Sequence, residues 1–96
     1  EEDIRTIANV AQETLEYSSV VGIPRGGLRL AEELKMRPVP SATAPILLID
    51  DVYTTGQSME EWKKKLLEDG AKDVIGFVIF ARGELPVWIR AFWRLG

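Results

Sequence analysis

Three short, continuous apolar runs punctuate the sequence, and segments with helical patterns separate them. The runs are SSVVGI at 18–23, ILLI at 46–49 and VIGFVIF at 74–80. They begin 28 residues apart, a spacing typical of strands joined by right-handed helical crossovers. Strands without polar alternation are typical of parallel sheets that are covered on both faces. The sequence therefore predicts an α/β fold, a three-layer sandwich with a small, mainly parallel central sheet.

The segments between these runs repeat apolar residues at helical spacing. They cover residues 3–17, 28–36 and 58–68, and Gly70 is suited to end the last of them. A fourth helix is predicted over 87–95, because Pro86 fits the first turn of a helix. The predicted order is α-β-α-β-α-β-α. With 96 residues there is room for one core, so residues 1–96 are expected to form a single domain.

The sequence contains neither cysteine nor histidine. Their absence excludes thiolate nucleophiles, imidazole bases and zinc sites built on these residues. What remains is chemistry by carboxylates, Arg, Lys, hydroxyls and backbone amides, with a hard cation such as Mg²⁺ as the metal. The net charge of −3 argues against a nucleic-acid partner. No membrane span or signal peptide is recognisable, and we expect a cytoplasmic protein without a membrane partner.

The second apolar run leads into the segment DDVYTTGQS at 50–58. Two adjacent carboxylates at a strand end repel each other, which a purely structural turn would avoid. The hydroxyls, the glycine and the unpaired amides at the start of the next helix form a cradle suited to a phosphate. Carboxylates beside such a cradle suit ribose hydroxyls, directly or through hydrated Mg²⁺. The alternative reading is a strand followed by an ordinary capped helix.

Residues 46–58 resemble the signature of the type I phosphoribosyltransferases: four apolar residues, two acids, two further residues, then Thr-Thr-Gly-x-Ser. In that family this loop binds 5-phosphoribosyl 1-diphosphate. The resemblance implies that Asp50 and Asp51 are the catalytic carboxylates and receive the ribose hydroxyls. It assigns the 5′-phosphate to Thr54, Thr55, Gly56, Gln57 and Ser58. Tyr53 stands where the family usually has an aliphatic residue, a departure that its competence-type members tolerate.

Two other families with acidic residues after a strand do not fit this segment. Haloacid-dehalogenase-type enzymes need a second Asp two places after the first, where this chain has Val52. Receiver domains need an Asp at the end of a later strand, and the remaining strand ends in FARG at 80–83.

The first apolar run leads into Pro-Arg-Gly-Gly at 24–27, which by itself is compatible with an ordinary turn. The phosphoribosyltransferase family has a pyrophosphate-binding loop at this place, often with a non-proline cis peptide. The resemblance implies that Arg25 and the amides of Gly26 and Gly27 hold the diphosphate. Arg25 is the one cation in either loop, and the leaving group carries several negative charges.

The family also has a mobile, basic loop over the substrate and a hood that selects the base. Here only residues 35–45 lie in that interval, with Lys35 and Arg37 as the cations. The resemblance implies a phosphoribosyltransferase of nucleotide metabolism, with an unidentified nitrogen acceptor and with Mg²⁺ held mainly through substrate and water. Thr54 disfavours a 6-oxopurine acceptor. The alternatives are a non-catalytic ribose-phosphate-binding or regulatory module, and a structural domain with a vestigial site.

Three further groups of residues are assigned to packing and solvent. Trp88, Ile89, Phe92 and Trp93 form an apolar stripe that suits the core or a homodimer interface better than base stacking. Solvated helix faces are expected for Arg82, Arg90 and Arg94 and for residues 63–65.

Overall fold

The computed structural model describes residues 2–95, and the side chains of residues 4–95. Its elements are α1 (Glu2–Thr14), β1 (Ser19–Gly22), α2 (Leu28–Lys35), β2 (Ile46–Tyr53), α3 (Gln57–Glu68), β3 (Val74–Arg82) and β4 (Ile89–Leu95). The four strands form one sheet in the order β1-β2-β3-β4, and every neighbouring pair is parallel. No helix of the described part is long and apolar enough to cross a membrane.

The sheet lies between two helical layers, which confirms the predicted α/β sandwich. On one face α1 and α2 pack over Leu47, Ile49 and Phe77. On the other face Met59 of α3 packs over Leu48, Val74 and Val78, whose side chains point to that face. Each strand alternates its side chains between the two faces, and both faces are apolar. The continuous apolar runs in the sequence therefore reflect burial on two sides.

The helix predicted over 87–95 is wrong, because this segment contains the fourth strand. Ile89 pairs with Gly76 of β3, and Phe80 pairs with Trp93. Branched and aromatic residues favour a strand over a helix, and Ile89 is buried while Arg90 is exposed. Pro86 instead precedes a turn, since its carbonyl accepts the Ile89 N–H at 3.1 Å. The C-terminal arginines consequently lie on a strand.

The prediction that all crossovers share one hand is also wrong. The strand order makes both helical crossovers step in the same direction across the sheet. However, α2 packs on one face and α3 on the other, so the two crossovers have opposite hands. The connection from β3 to β4 steps the same way and packs on the α3 face through Leu85 and Trp88. The β1-α2-β2 unit therefore differs in hand from the rest of the sheet.

Candidate functional site

Two loops meet at the carboxyl edge of the sheet, because β1 and β2 are parallel neighbours. We call residues 24–27, after β1, the diphosphate loop, and residues 54–58, after β2, the phosphate loop. The pairing of the two strands continues past β1, where the Ile23 N–H donates to the Ile49 carbonyl at 2.8 Å. Ligands of parallel α/β sheets collect at this edge. The structure thus brings together the two loops that the sequence singled out.

The diphosphate loop is a tight turn with a cis peptide between Pro24 and Arg25, as the family resemblance implies. The Gly27 N–H donates to the Ile23 carbonyl at 2.9 Å. This commits an amide that the sequence analysis assigned to the diphosphate. A Cβ on Gly27 would overlap the Ile49 carbonyl oxygen, so this glycine permits the close approach of the loop to β2. The exposed Arg25 side chain and the Gly26 N–H remain as donors for an anion.

The diphosphate loop also touches the acidic pair directly. A Cβ added to Gly26 would overlap the carboxyl group of Asp51. The Asp51 carboxylate therefore lies against the backbone of the diphosphate loop, in the space that a side chain at position 26 would take. This contact links residues that are far apart in the sequence, and no local pattern reveals it.

The two carboxylates differ in exposure. Asp51 is exposed, whereas Asp50 is half-buried and accepts the Asp51 N–H at 2.8 Å. The pKa of Asp50 is raised from 3.8 to about 6, chiefly by burial. Within this shift the hydrogen bond from the Asp51 N–H lowers the pKa, while hydrogen bonding to the Asp51 carboxylate and the charge of that carboxylate raise it. A cation or a hydroxyl donor bound here would favour the charged form of Asp50.

The phosphate loop leads into α3 through Gly56, which has a left-handed conformation with φ of +82°. No side chain caps the helix at Gly56. The Gln57 N–H donates to the Thr55 hydroxyl at 3.3 Å, and no described residue accepts the N–H groups of Gly56 and Ser58. These amides and the loop hydroxyls surround a cleft of about 50 Å³, which Asp50 and residues 52–59 line. Free amides at a helix start suit an anion.

Tyr53, at the end of β2, lies against this loop. A Cβ on Gly56 would lie 2.5 Å from the Tyr53 Oη and 2.8 Å from Cζ. In the sequence, Tyr53 is recognisable only as a departure from the family pattern. Its contact with Gly56 depends on the turn of the loop, which the sequence does not reveal.

The donor set at this edge fits a hydrated Mg²⁺. Mg²⁺ is usually held by one or two carboxylates together with substrate phosphates and water. Asp50 and Asp51 are two adjacent carboxylates at this edge, and Asp50 accepts the Asp51 N–H at 2.8 Å. Among the described residues no cluster of three or more metal-ligating side chains occurs. Two neighbouring carboxylates are compatible with a Mg²⁺ that is held mainly through a phosphorylated ligand and water.

The two cations expected near a closing loop lie outside this edge. Arg37 donates to Glu33 at 2.9 Å and also to Asn9 and Gln12, which joins α2 to α1. Lys35 is in the last turn of α2, at the opposite end of that helix from the diphosphate loop. Residues 36–45 form turns and bends. No described residue in this connection reaches over the candidate site as the family's mobile loop does.

The two C-terminal tryptophans, Trp88 and Trp93, do not share one apolar stripe, because one packs on α3 and the other is largely exposed. The Trp88 ring packs on α3, with Lys63 Nζ at 4.3 Å from its centroid and its indole N–H donated to Glu60 at 3.3 Å. The expectation of a fully solvated lysine face is therefore wrong for Lys63. Trp93 is 64% exposed. It lines an apolar groove of about 560 Å³ between α1 and the strands β3 and β4.

The fold is that of the type I phosphoribosyltransferases, in a short form. Two solved structures are similar over nearly the whole chain. Orotate phosphoribosyltransferase from Aeropyrum pernix gives a TM-score of 0.73 at 22% identity, covering 99% of this chain and 73% of that one. Purine phosphoribosyltransferase from Pyrococcus horikoshii gives 0.71 at 19% identity, covering 98% and 81%. At these identities the likeness establishes the fold.

One curated protein matches about half of this chain in sequence. Competence protein ComFC of Streptococcus pneumoniae is 51% identical over 51 residues, which are 51% of this chain and 23% of that protein. The matched stretch thus spans about a quarter of the relative. The sequence matches no protein-family model. The resemblance to phosphoribosyltransferases is therefore confirmed at the level of the fold.

Proposed function

We propose that the chain binds 5-phosphoribosyl 1-diphosphate with Mg²⁺ and transfers the phosphoribosyl group to a nitrogen acceptor, with release of pyrophosphate. The observation that supports this most is the contact between Gly26 and the Asp51 carboxylate. It joins an anion-binding turn to an acidic pair, and the acidic pair continues into a phosphate cradle. One ligand with a diphosphate, a ribose and a phosphate matches that order.

Each part of the site has a role in this proposal. Arg25 and the Gly26 N–H bind the diphosphate, Asp50 and Asp51 receive the ribose hydroxyls, and residues 54–58 hold the 5′-phosphate. Gly27 contributes the shape of its loop, since its own N–H is committed. These groups position the substrate and stabilise charge where it develops. Mg²⁺, when bound, would neutralise charge on the substrate phosphates.

The proposed reaction replaces the bond from C1 of ribose to the diphosphate with a bond from C1 to nitrogen, and the acceptor nitrogen loses a proton. The bond between C1 of ribose and the diphosphate oxygen lengthens, and its electron pair leaves with pyrophosphate beside Arg25. The lone pair of the acceptor nitrogen forms the new bond to C1, and the proton displaced from that nitrogen passes to solvent. We place this reaction in nucleotide metabolism in the cytoplasm, and we propose that the chain works as a homodimer without nucleic-acid or membrane partners.

A second candidate is a ribose-phosphate-binding or regulatory module. It is favoured by one observation: the described connection 36–45 provides no basic residue over the site, and Arg37 is held between α1 and α2. Exclusion of water by a closed loop is what protects such a substrate from hydrolysis. A structural domain with a vestigial site remains the third candidate.

Pyrophosphate release separates these candidates. We expect release when the chain is mixed with 5-phosphoribosyl 1-diphosphate, Mg²⁺ and one member of a panel of nitrogenous bases. Asp50→Asn combined with Asp51→Asn should abolish both release and substrate binding. Asp69→Asn, which alters an exposed carboxylate at the far end of α3, is the matched control and should leave both unchanged. Binding without release would contradict the transferase and support the module, and undiminished binding by the double variant would refute the ribose assignment.

A further inference from the structure

We propose that Tyr53 is a positioning residue, whose ring holds the phosphate loop in its binding shape by contact with Gly56. This inference rests on the proposed function, because it concerns the same loop. It assigns a purpose to the residue at which this chain departs from the usual family pattern.

The contact is made by the far end of the tyrosine ring. A Cβ on Gly56 would lie 2.5 Å from Oη and 2.8 Å from both Cε2 and Cζ of Tyr53. The ring tip therefore covers the one face of Gly56 from which a side chain would project. Gly56 is also the residue at which the backbone takes its left-handed turn into α3. Contact at this point restrains the direction in which the amides of the loop and of the first helical turn are presented.

Tyr53 is itself anchored to the rigid part of the molecule. It is the last residue of β2 and pairs with Ala81 of β3. Its half-buried ring packs against the core cluster beneath α3, which includes Met59. The ring thus fixes the position of Gly56 relative to the sheet. An aliphatic side chain at position 53 lacks the distal atoms that make this contact.

The contribution comes from the ring rather than from hydrogen bonding. No described residue accepts or donates a hydrogen bond at the Tyr53 hydroxyl. Phenylalanine would keep most of the ring contact, whereas leucine would lose it. A preorganised loop binds its anion without first being ordered, and loss of that order weakens binding.

The test is calorimetric titration with ribose 5-phosphate, a ligand that requires only the ribose and phosphate parts of the site. Tyr53→Leu is expected to weaken binding by about tenfold, since a small misplacement of binding groups has effects of this size or larger. Tyr53→Phe is expected to bind within about twofold of the original chain. Leu66→Ala is the matched control, because Leu66 packs in the same cluster from α3 but lies away from the loop. Urea unfolding of each variant gives the accompanying change in stability.

The proposal stands if Tyr53→Leu alone loses affinity while Leu66→Ala loses stability and keeps affinity. It is overturned if Tyr53→Leu binds as tightly as the original chain, or if Leu66→Ala loses affinity to the same extent. An equal loss in Tyr53→Phe would also overturn it, because the hydroxyl would then be responsible. If the original chain binds no ribose 5-phosphate, the proposed role of Tyr53 fails, whereas the proposed function fails only if 5-phosphoribosyl 1-diphosphate with Mg²⁺ is not bound either.

Discussion

Asp50 has a carboxyl group that folding partly withdraws from water and places beside Asp51. The raised pKa, about 6, has the sign expected of an acid that is more easily charged in the unfolded chain. Such a group lowers folding stability wherever it is ionised. Stability is therefore expected to fall as pH rises from the ordinary Asp pKa through 6.

The substitution Asp50→Asn should raise the free energy of unfolding at pH 7.5 by on the order of 1 kcal/mol, after discounting the pKa shift for solvent screening. The gain should nearly vanish at pH 4, where the folded chain already holds the proton. Urea unfolding at both pH values measures this difference, and Asp69→Asn serves as the surface control. A gain of equal size at both pH values, or a loss at pH 7.5, would contradict the assigned environment of Asp50.

At the residue scale, the sequence predicted which residues would lie near one another more completely than it predicted the contacts between them. The acidic pair and residues 54–58 lie within the single segment 50–58, so their spacing was enough to predict that they share one strand end and helix start. The contact of Gly26 with Asp51 joins two loops and has no local signal. The hydrogen bond that commits the Gly27 amide depends on the turn geometry of its loop. These two features are consequences of the assembled sheet.

At the scale of elements, the C-terminal segment shows where local patterns failed. Pro86 and the spacing of the aromatic residues suggested a helix, but β3 offered an open edge beside them. Pairing along that edge satisfies the backbone, beginning where the Gly76 N–H donates to the Trp88 carbonyl at 2.8 Å. Tertiary pairing of this kind routinely overrides helical pattern in a short segment. The three earlier helices were predictable because each has a sustained apolar stripe.

The two tryptophans of this region should respond differently to substitution. Trp88→Ala removes the ring that Lys63 and Glu60 contact. We expect a loss of about 2 kcal/mol in the free energy of unfolding and no change in oligomeric state. Trp93→Ala alters an exposed ring on the edge strand. We expect it to leave stability within about 0.5 kcal/mol and to convert the proposed homodimer to a monomer.

Urea unfolding and light scattering measure the two effects. A monomeric original chain would contradict the homodimer, and a large stability loss in Trp93→Ala would contradict the surface role of that ring. Trp88→Ala with undiminished stability would show that its contacts with α3 contribute little.

At the scale of the whole molecule, the unusual feature is the opposite hand of β1-α2-β2. In sheets of this kind parallel crossovers are right-handed in about 98% of cases. The family resemblance implies further strands between α2 and the strand that bears the acidic pair. Here residues 36–45 make that connection, and β2 pairs directly with β1. The spacing of apolar runs predicted parallel strands correctly, but it contains no information about which face each helix covers.

The central claim is that the two loops of this sheet edge bind one phosphorylated sugar. Isothermal titration of the original chain with 5-phosphoribosyl 1-diphosphate in the presence of Mg²⁺ tests this claim most directly. We predict a saturable heat that depends on Mg²⁺. No heat above the buffer control at millimolar ligand would contradict both the transferase and the binding module.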